Sequence, residues 1–172
     1  AETLRGQLLD ALGTNYSIGR DFAPHEPELS ADDLDILVID QCSGSKHVPP
    51  NATEFEKEAV DNNSRESLLA RENVRGITAA DLYTGRQQKY ITDAVRSLRR
   101  DGHDIDRYFI SAGFGLVNED EKLPPYEVTF SDMRVDEIRS RSARLDIRSD
   151  IETIISNHAY DVVIFALGKE YY

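Results

Sequence analysis

The chain has 172 residues, room for one ordinary domain and not for two comfortable ones. Acidic residues outnumber basic ones, 32 to 20, and the net charge of −12 argues against a sequence-independent grip on phosphate backbones without excluding a local basic pocket. A single Cys excludes a disulfide framework and a four-Cys zinc site, and no apolar run approaches the roughly 20 residues of a membrane helix.

Residues 2–12 read as a helix with Leu4, Leu8, Leu9 and Leu12 on one face, stopped by Gly13 and Asn15. Residues 17–31 are polar, carry two prolines and read as a loop or linker. The expected division is therefore an N-terminal helix and linker over residues 1–31 and a single α/β domain over residues 32–172. The first strand is residues 35–40, whose unbroken apolar middle suits a strand buried on both faces, as in a parallel sheet. Thr53 is a candidate cap for a helix reaching Val60, and Ser64 for another reaching Ala70. A short helical turn covers residues 78–83. A stronger helix follows over residues 86–100, with Tyr90, Ile91, Ala94, Val95 and Leu98 as its apolar stripe and Asp101-Gly102 as its end. The second strand is residues 107–111, with Leu116 and Val117 extending the turn after it. An acidic loop over residues 118–121 reads as solvated. Residues 133–157 are helical in one or two pieces, and the third strand is residues 161–167.

Strand, helix, strand, helix, strand in this order implies an α/β fold: a small, mainly parallel sheet with helices on both faces, preceded by the N-terminal helix. Only Gly168-Lys169-Glu170-Tyr171-Tyr172 follow the third strand. A further helix or strand is expected there, so a truncation or a disordered tail belongs to the expectation. No leader-like apolar segment opens the chain, and the expected location is the cytoplasm. Five of the 20 bases are Lys and 15 are Arg, a balance that fits a salt-loving host or simply an acidic cytosolic protein.

In open α/β sheets, ligands bind outside the carboxyl ends of the strands. All three strands here end in small, polar or glycine-containing turns. The first supplies Cys42, Ser43, Gly44, Ser45 and Lys46, the second Ser111, Gly113 and Gly115, the third Gly168, Lys169 and Tyr171. The Cys42–Lys46 turn has the amides and the point charge of an anion site, but lacks phosphate-loop spacing. The Ser111–Gly115 turn lacks the third glycine of the dinucleotide fingerprint. Ordinary strand-to-helix punctuation is the alternative for both. Cys42 beside Lys46 is a candidate nucleophile or a small buried thiol. Thr84 can cap the long helix, Gly85 frees the backbone, and Arg86 can meet a phosphate or carboxylate in a fork. Tyr126, stiffened by Pro124 and Pro125, can stack on a ring or cover the core edge, and Glu127 beside it is a candidate general base. The histidines show no metal-ligand spacing, so neither metal nor cofactor is expected.

Taken together, Cys42 to Lys46 after an apolar strand, Ala80-Asp81-Leu82-Tyr83-Thr84-Gly85, residues 109–117 and Pro125-Tyr126-Glu127 resemble a family of uncharacterised bacterial and archaeal proteins, a domain of unknown function. That family is distantly similar to the YaaA-like peroxide-stress proteins. The resemblance spans about residues 36–171 and ends on Gly168 and Tyr171. It departs at Gly113, where the family often has Lys or His, and at Glu127, where Asp is usual. It implies an α/β domain with a pocket that includes Cys42, Lys46, Asp81, Tyr83, Gly85, Ser111, Gly115 and Tyr126, and a role around nucleotides, nucleic-acid modification or defence.

The expected function is the handling of a small nucleotide or nucleobase, with hydrolysis or transfer at a glycosidic bond as the candidate chemistry. In that expectation the Lys46 turn holds phosphate or ribose, Tyr83 or Tyr126 stacks the base, Ser111 hydrogen-bonds, and Asp81 or Glu127 is the acid-base group. The alternative is a non-catalytic module that binds nucleic acid or a protein partner. Its basic material would be Arg96, Arg99, Arg100 and Arg107, or Arg134, Arg139, Arg141, Arg144 and Arg148.

Overall fold

The computed structural model describes residues 33–171, so the N-terminal helix and linker read from the sequence lie outside the described residues. Strand β1 (Asp35–Gln41) is followed by a two-residue strand β2 (Phe55–Glu56) and two short helices, α1 (Lys57–Asn62) and α2 (Arg65–Leu69). Next come β3 (Ile77–Thr78), α3 (Ala79–Leu82) and the long helix α4 (Arg86–Arg100). Strands β4 (Asp104–Ser111) and β5 (Gly115–Asn118) form a hairpin, and β6 (Lys122–Leu123) and β7 (Tyr126–Glu127) are short pieces after it. Helices α5 (Val135–Arg144) and α6 (Ile147–Asn157) lead to β8 (Val162–Ala166) and a final 3-10 turn, Lys169–Tyr171.

The main sheet has the order β5–β4–β1–β8. Strand β1 lies at its centre, parallel to β4 with Val38 opposite Arg107, and parallel to β8 with Val38 opposite Ile164. Its central residues are buried because both faces are covered, as the apolar run required. Leu34, Ile36, Val38 and Ile105 pack with Val95, Ile91 and Leu98 of α4. Leu37 and Ile39 belong to the larger core, which Ile138 of α5 and Ile147, Ile151 and Ile154 of α6 help to close. The alternation of side chains along β1 thus divides the core into two layers, with helices on both faces.

Four features depart from the sequence reading. The segment after the second strand is a real strand: β5 pairs antiparallel with β4, Tyr108 opposite Asn118, so the sheet is mixed. Helix α1 starts after Glu56 instead of being capped by Thr53, whereas Ser64 does cap α2, accepting from Ser67 N at 3.2 Å. Helix α4 has Gly85 at its N-cap with no side-chain bond, so Thr84 does not cap it. The acidic stretch is not a solvated loop. Glu119 is buried and paired with Arg99, and the carbonyls of Glu119 and Glu121 accept from Ala80 N and Ala79 N at 3.0 and 2.9 Å, holding the start of α3.

Candidate functional site

The parallel register brings the three strand ends to one edge. Gln41 lies opposite Ile110 and Asp40 opposite Ala166. Side chains and amides then lock the ends together. Cys42 N donates to Ile110 O at 3.0 Å, Gly168 N donates to Gln41 Oε1, and Gln87 Nε2 of α4 donates to Ala166 O at 2.7 Å. Tyr171 returns to the first turn, its hydroxyl 3.1 Å from Cys42 Sγ and donating to Cys42 O at 3.2 Å. The residues Ser43 to Lys46 are fastened to the lead-in of α4. Gly85 N donates to Ser43 Oγ at 3.3 Å, Thr84 N donates to Ser45 O at 3.1 Å, and Lys46 pairs with Tyr83 as a β-bridge. A Cβ on Gly85 would stand 2.9 Å from Ser43 Cβ, so the two segments meet only because that residue has no side chain.

Beneath this edge lies a buried chain of hydroxyls. Ser111 Oγ accepts from Gly113 N at 3.2 Å and from Phe114 N at 3.1 Å. With both lone pairs engaged, its own proton goes to Tyr126 OH, 2.8 Å away, and Tyr126 in turn donates to Tyr83 OH at 2.7 Å. Burial drives both tyrosines well above the ordinary phenol value, so they stay protonated. The Lys46 ammonium stands 4.7 Å from the Tyr126 ring centre and 3.4 Å from Val128 O. Burial pulls Lys46 below its ordinary value, opposed by the charges of Cys42, Glu54, Glu127 and Asp132. Cys42 is 1% exposed and burial pushes its thiol up, the environment of a structural thiol and not of a nucleophile.

The candidate residues therefore fall into groups. Cys42, Tyr83, Ser111 and Tyr126 form a closed floor in which neither tyrosine has a face free to stack on a ligand. Gly44, Ser45, Thr84 and Arg86 are exposed around it, and Lys46, Gly168 and Tyr171 are half-buried. Glu127 is exposed beside Lys46. Asp81 stands apart as part of a cap, its carboxylate accepting from the Thr78 hydroxyl at 2.8 Å. Gly115 serves the hairpin, with φ of 77° and the Leu145 carbonyl 2.9 Å from where a Cβ would be.

The open space lies just beyond Gly113. A cleft of about 530 Å³ is walled by Gly113 and Phe114 of the β4–β5 turn, by Val60, Asp61 and Asn63 around α1, and by Arg65 and Glu66 of α2. Leu116, Glu121, Arg144 and Leu145 complete it. Phe114 is fixed by edge-to-face packing on Tyr126, centroids 5.0 Å apart at 80°. Behind the cleft, Arg141 makes a two-nitrogen clasp on Asp61 at 2.7 and 3.2 Å and also donates to Ala112 O, tying α1, α5 and the turn together. Of the wall, the sequence singled out Gly113 as a site residue and Arg144 as part of a basic cluster. Phe114 carried a local signal, a large aromatic between two glycines at a strand end. The pairing of the charged residues carried none, because Asp61 and Arg141 meet across 80 residues of chain.

A second arrangement missed from the sequence is the buried pair Asp40–Arg107, 2.7 Å apart and 0% and 1% exposed. Gln88 Nε2 adds a bond to Asp40 Oδ1 at 3.3 Å and Arg107 Nη1 donates to Thr92 Oγ1 at 3.0 Å, while Arg107 Nε is left without a partner. Burial raises the Asp40 carboxyl from its ordinary value, against the bond and charge of Arg107. Arg107 is thus withdrawn from any basic surface. Arg99 is paired with Glu119, Arg141 and Arg144 with Asp61, and Arg148 with Glu152. Among the described residues no three His, Cys, Asp or Glu side chains group as a metal site, and no helix is long and apolar enough to cross a membrane.

These features define an α/β domain with a mixed, mostly parallel sheet and a cleft beside the carboxyl end of its second long strand. The chain belongs to a family of unknown function, DUF6884, whose profile matches residues 70–172. The matched stretch holds Tyr83, Gly85, Ser111, Tyr126, Gly168 and Tyr171 and begins after the Cys42–Lys46 turn. No curated protein and no solved structure matches the chain.

Proposed function

We propose that this chain binds a small nucleotide- or nucleobase-class molecule at the carboxyl edge of its sheet and acts on it by hydrolysis or transfer at a glycosidic bond, in nucleic-acid modification or defence. The observation that carries the reading is the cleft beside Gly113 and Phe114. Its lining is mostly polar, guanidinium and carboxylate groups above all, with the Phe114 ring and a few aliphatic side chains among them, and it lies beside the carboxyl end of a parallel strand, where α/β sheets take ligands. The distant likeness of the sequence motifs to YaaA-like proteins belongs to the same proposal. Glu66 and Glu121 line the cleft and join Asp81 and Glu127 as candidate carboxylates for the acid-base role in this proposal.

The test is thermal unfolding of the full chain titrated with adenine, guanine, cytosine, their nucleosides and their monophosphates. Binding raises the midpoint by mass action. No shift with any of them at millimolar concentration overturns the reading. Product analysis of the stabilising compound then tests the bond cleavage. The alternative, a module that binds a protein partner without catalysis, is favoured by Phe165 on β8, which among the described residues is an edge strand and leaves that ring 45% exposed. A stable complex between two copies at micromolar concentration, seen by sedimentation, would support it.

A further inference from the structure

The charges around the cleft beside the β4–β5 turn cancel in pairs. Arg65 is engaged by Glu66 at 3.4 Å and by Glu121. Asp61 Oδ1 accepts from Arg141 and Arg144, each at 2.7 Å, and Oδ2 accepts from Arg141 at 3.2 Å. Three guanidiniums thus face three carboxylates. The Arg141–Asp61 clasp is fixed further by the bond from Arg141 Nε to Ala112 O. A phosphate placed here would meet guanidiniums that each already face a carboxylate, so the carboxylates would oppose its charge, and it would add charge to a chain already at −12.

An uncharged planar ring meets no such opposition. The walls offer Val60, Leu116 and Leu145 as apolar surface and Phe114 as an aromatic platform. That platform is held from below by the Tyr126 ring and along its backbone by Ser111 Oγ. At the rim, Glu66 and Glu121 keep acceptor capacity beyond the bond each makes to Arg65, and the half-exposed Arg144 keeps donors beyond its one bond to Asp61. Acceptors for exocyclic amines and donors for ring carbonyls are what the edges of a heterocyclic base require.

We infer that the ligand of this cleft is an uncharged heterocyclic base or its nucleoside, stacked on Phe114, and not a phosphorylated nucleotide. The inference rests on the ligand-binding reading above and narrows it. Calorimetric titration of the full chain with adenine, guanine, cytosine, the matching nucleosides, their 5′-monophosphates and inorganic phosphate tests it. At least one base or nucleoside binds, and its monophosphate binds about ten-fold or more weakly. The affinity changes by less than about two-fold between roughly 0.1 M and 1 M salt, because no phosphate contact is there to be screened. Phe114→Ala weakens binding about ten-fold, the worth of one base–aromatic stack, and Phe114→Tyr retains it. A monophosphate that binds as tightly as its nucleoside, or Phe114→Ala protein with a native circular dichroism spectrum and unchanged affinity, overturns the inference and leaves the broader reading standing. Absence of binding by every compound overturns both.

Discussion

Gly113 leaves no room for a side chain. Its Cβ would stand 2.7 Å from Tyr126 Cε2 and 3.0 Å from Cδ2, and the ring cannot swing away without breaking the bonds of its hydroxyl to Ser111 and Tyr83. Gly113→Ala should destabilise the fold by about 1–3 kcal/mol, the cost of overpacking a filled site, read as a lower urea midpoint at unchanged slope. A midpoint equal to the parent would mean that the ring is loose. Cys42 makes a second residue-scale test. Its thiol is buried and raised, so at pH 8 it should resist iodoacetamide in the native protein and react once urea unfolds the chain. Rapid native alkylation would restore it as a nucleophile. The sequence marked both residues as belonging to the edge turns, because small residues at strand ends are a local signal. It could not show that Tyr83 and Tyr126 lie beneath the surface, since their depth is decided by partners from other segments, Phe109 against Tyr83 and Phe114 against Tyr126.

At the scale of elements, helix α1 is joined to α5 chiefly through one carboxylate. Burial acts to raise the Asp61 pKa, but the bonds and charges of Arg141 and Arg144 outweigh it and hold the group below its ordinary 3.8. A carboxyl depressed by folding lends stability above its unfolded pKa and loses it as pH falls through the folded one. Asp61→Asn should therefore cost on the order of 2–3 kcal/mol at neutral pH, since it removes charge-assisted bonds and leaves Arg141 buried without its counter-ion. That cost should shrink as pH drops below 3.8, where the parent loses the same charge. Urea midpoints of parent and variant measured from pH 7 downward check this, and a gap that stays constant refutes it. The same helices show what periodicity can and cannot deliver. The bounds of α4 are legible, because its apolar stripe repeats over four turns and Asp101-Gly102 closes it, with Gly102 at a φ of 100°. Strand β5 is not legible. It is four residues, Gly115 and Asn118 among them, and its extended form comes from pairing with β4 and not from its own preferences.

At the scale of the whole molecule, charge is spent in two ways. Bases are drawn into pairs, some of them buried, as with Arg107 on Asp40 and Arg141 on Asp61. Among the described residues many acids, Glu58, Glu72 and Asp120 for example, are exposed and make no ion pair, so the excess of acid lies at the surface. Self-repulsion of that surface favours the expanded chain, and its range is about 10 Å at 0.1 M salt but only about 3 Å at 1 M. The exposed pairs, such as Arg148 with Glu152, are each worth roughly 0–1 kcal/mol and lose little by screening. The buried pairs are shielded from salt by the core. Repulsion therefore wins the balance, and the melting midpoint should climb steadily as sodium chloride rises from about 0.05 M to 1 M, with most of the gain before the screening length falls below the spacing of surface carboxylates. Scanning calorimetry with potassium chloride in parallel separates screening from a specific sodium site: equal curves mean screening, and a midpoint that falls with either salt would show that ion pairs, not repulsion, dominate this surface. Because the cleft is neutral in its pairs, the same salt series should move stability while leaving base affinity in place. Acidity then belongs to the skin of the protein, and the recognition proposed for the small cleft is set by its paired charges and its aromatic ring, not by the net charge.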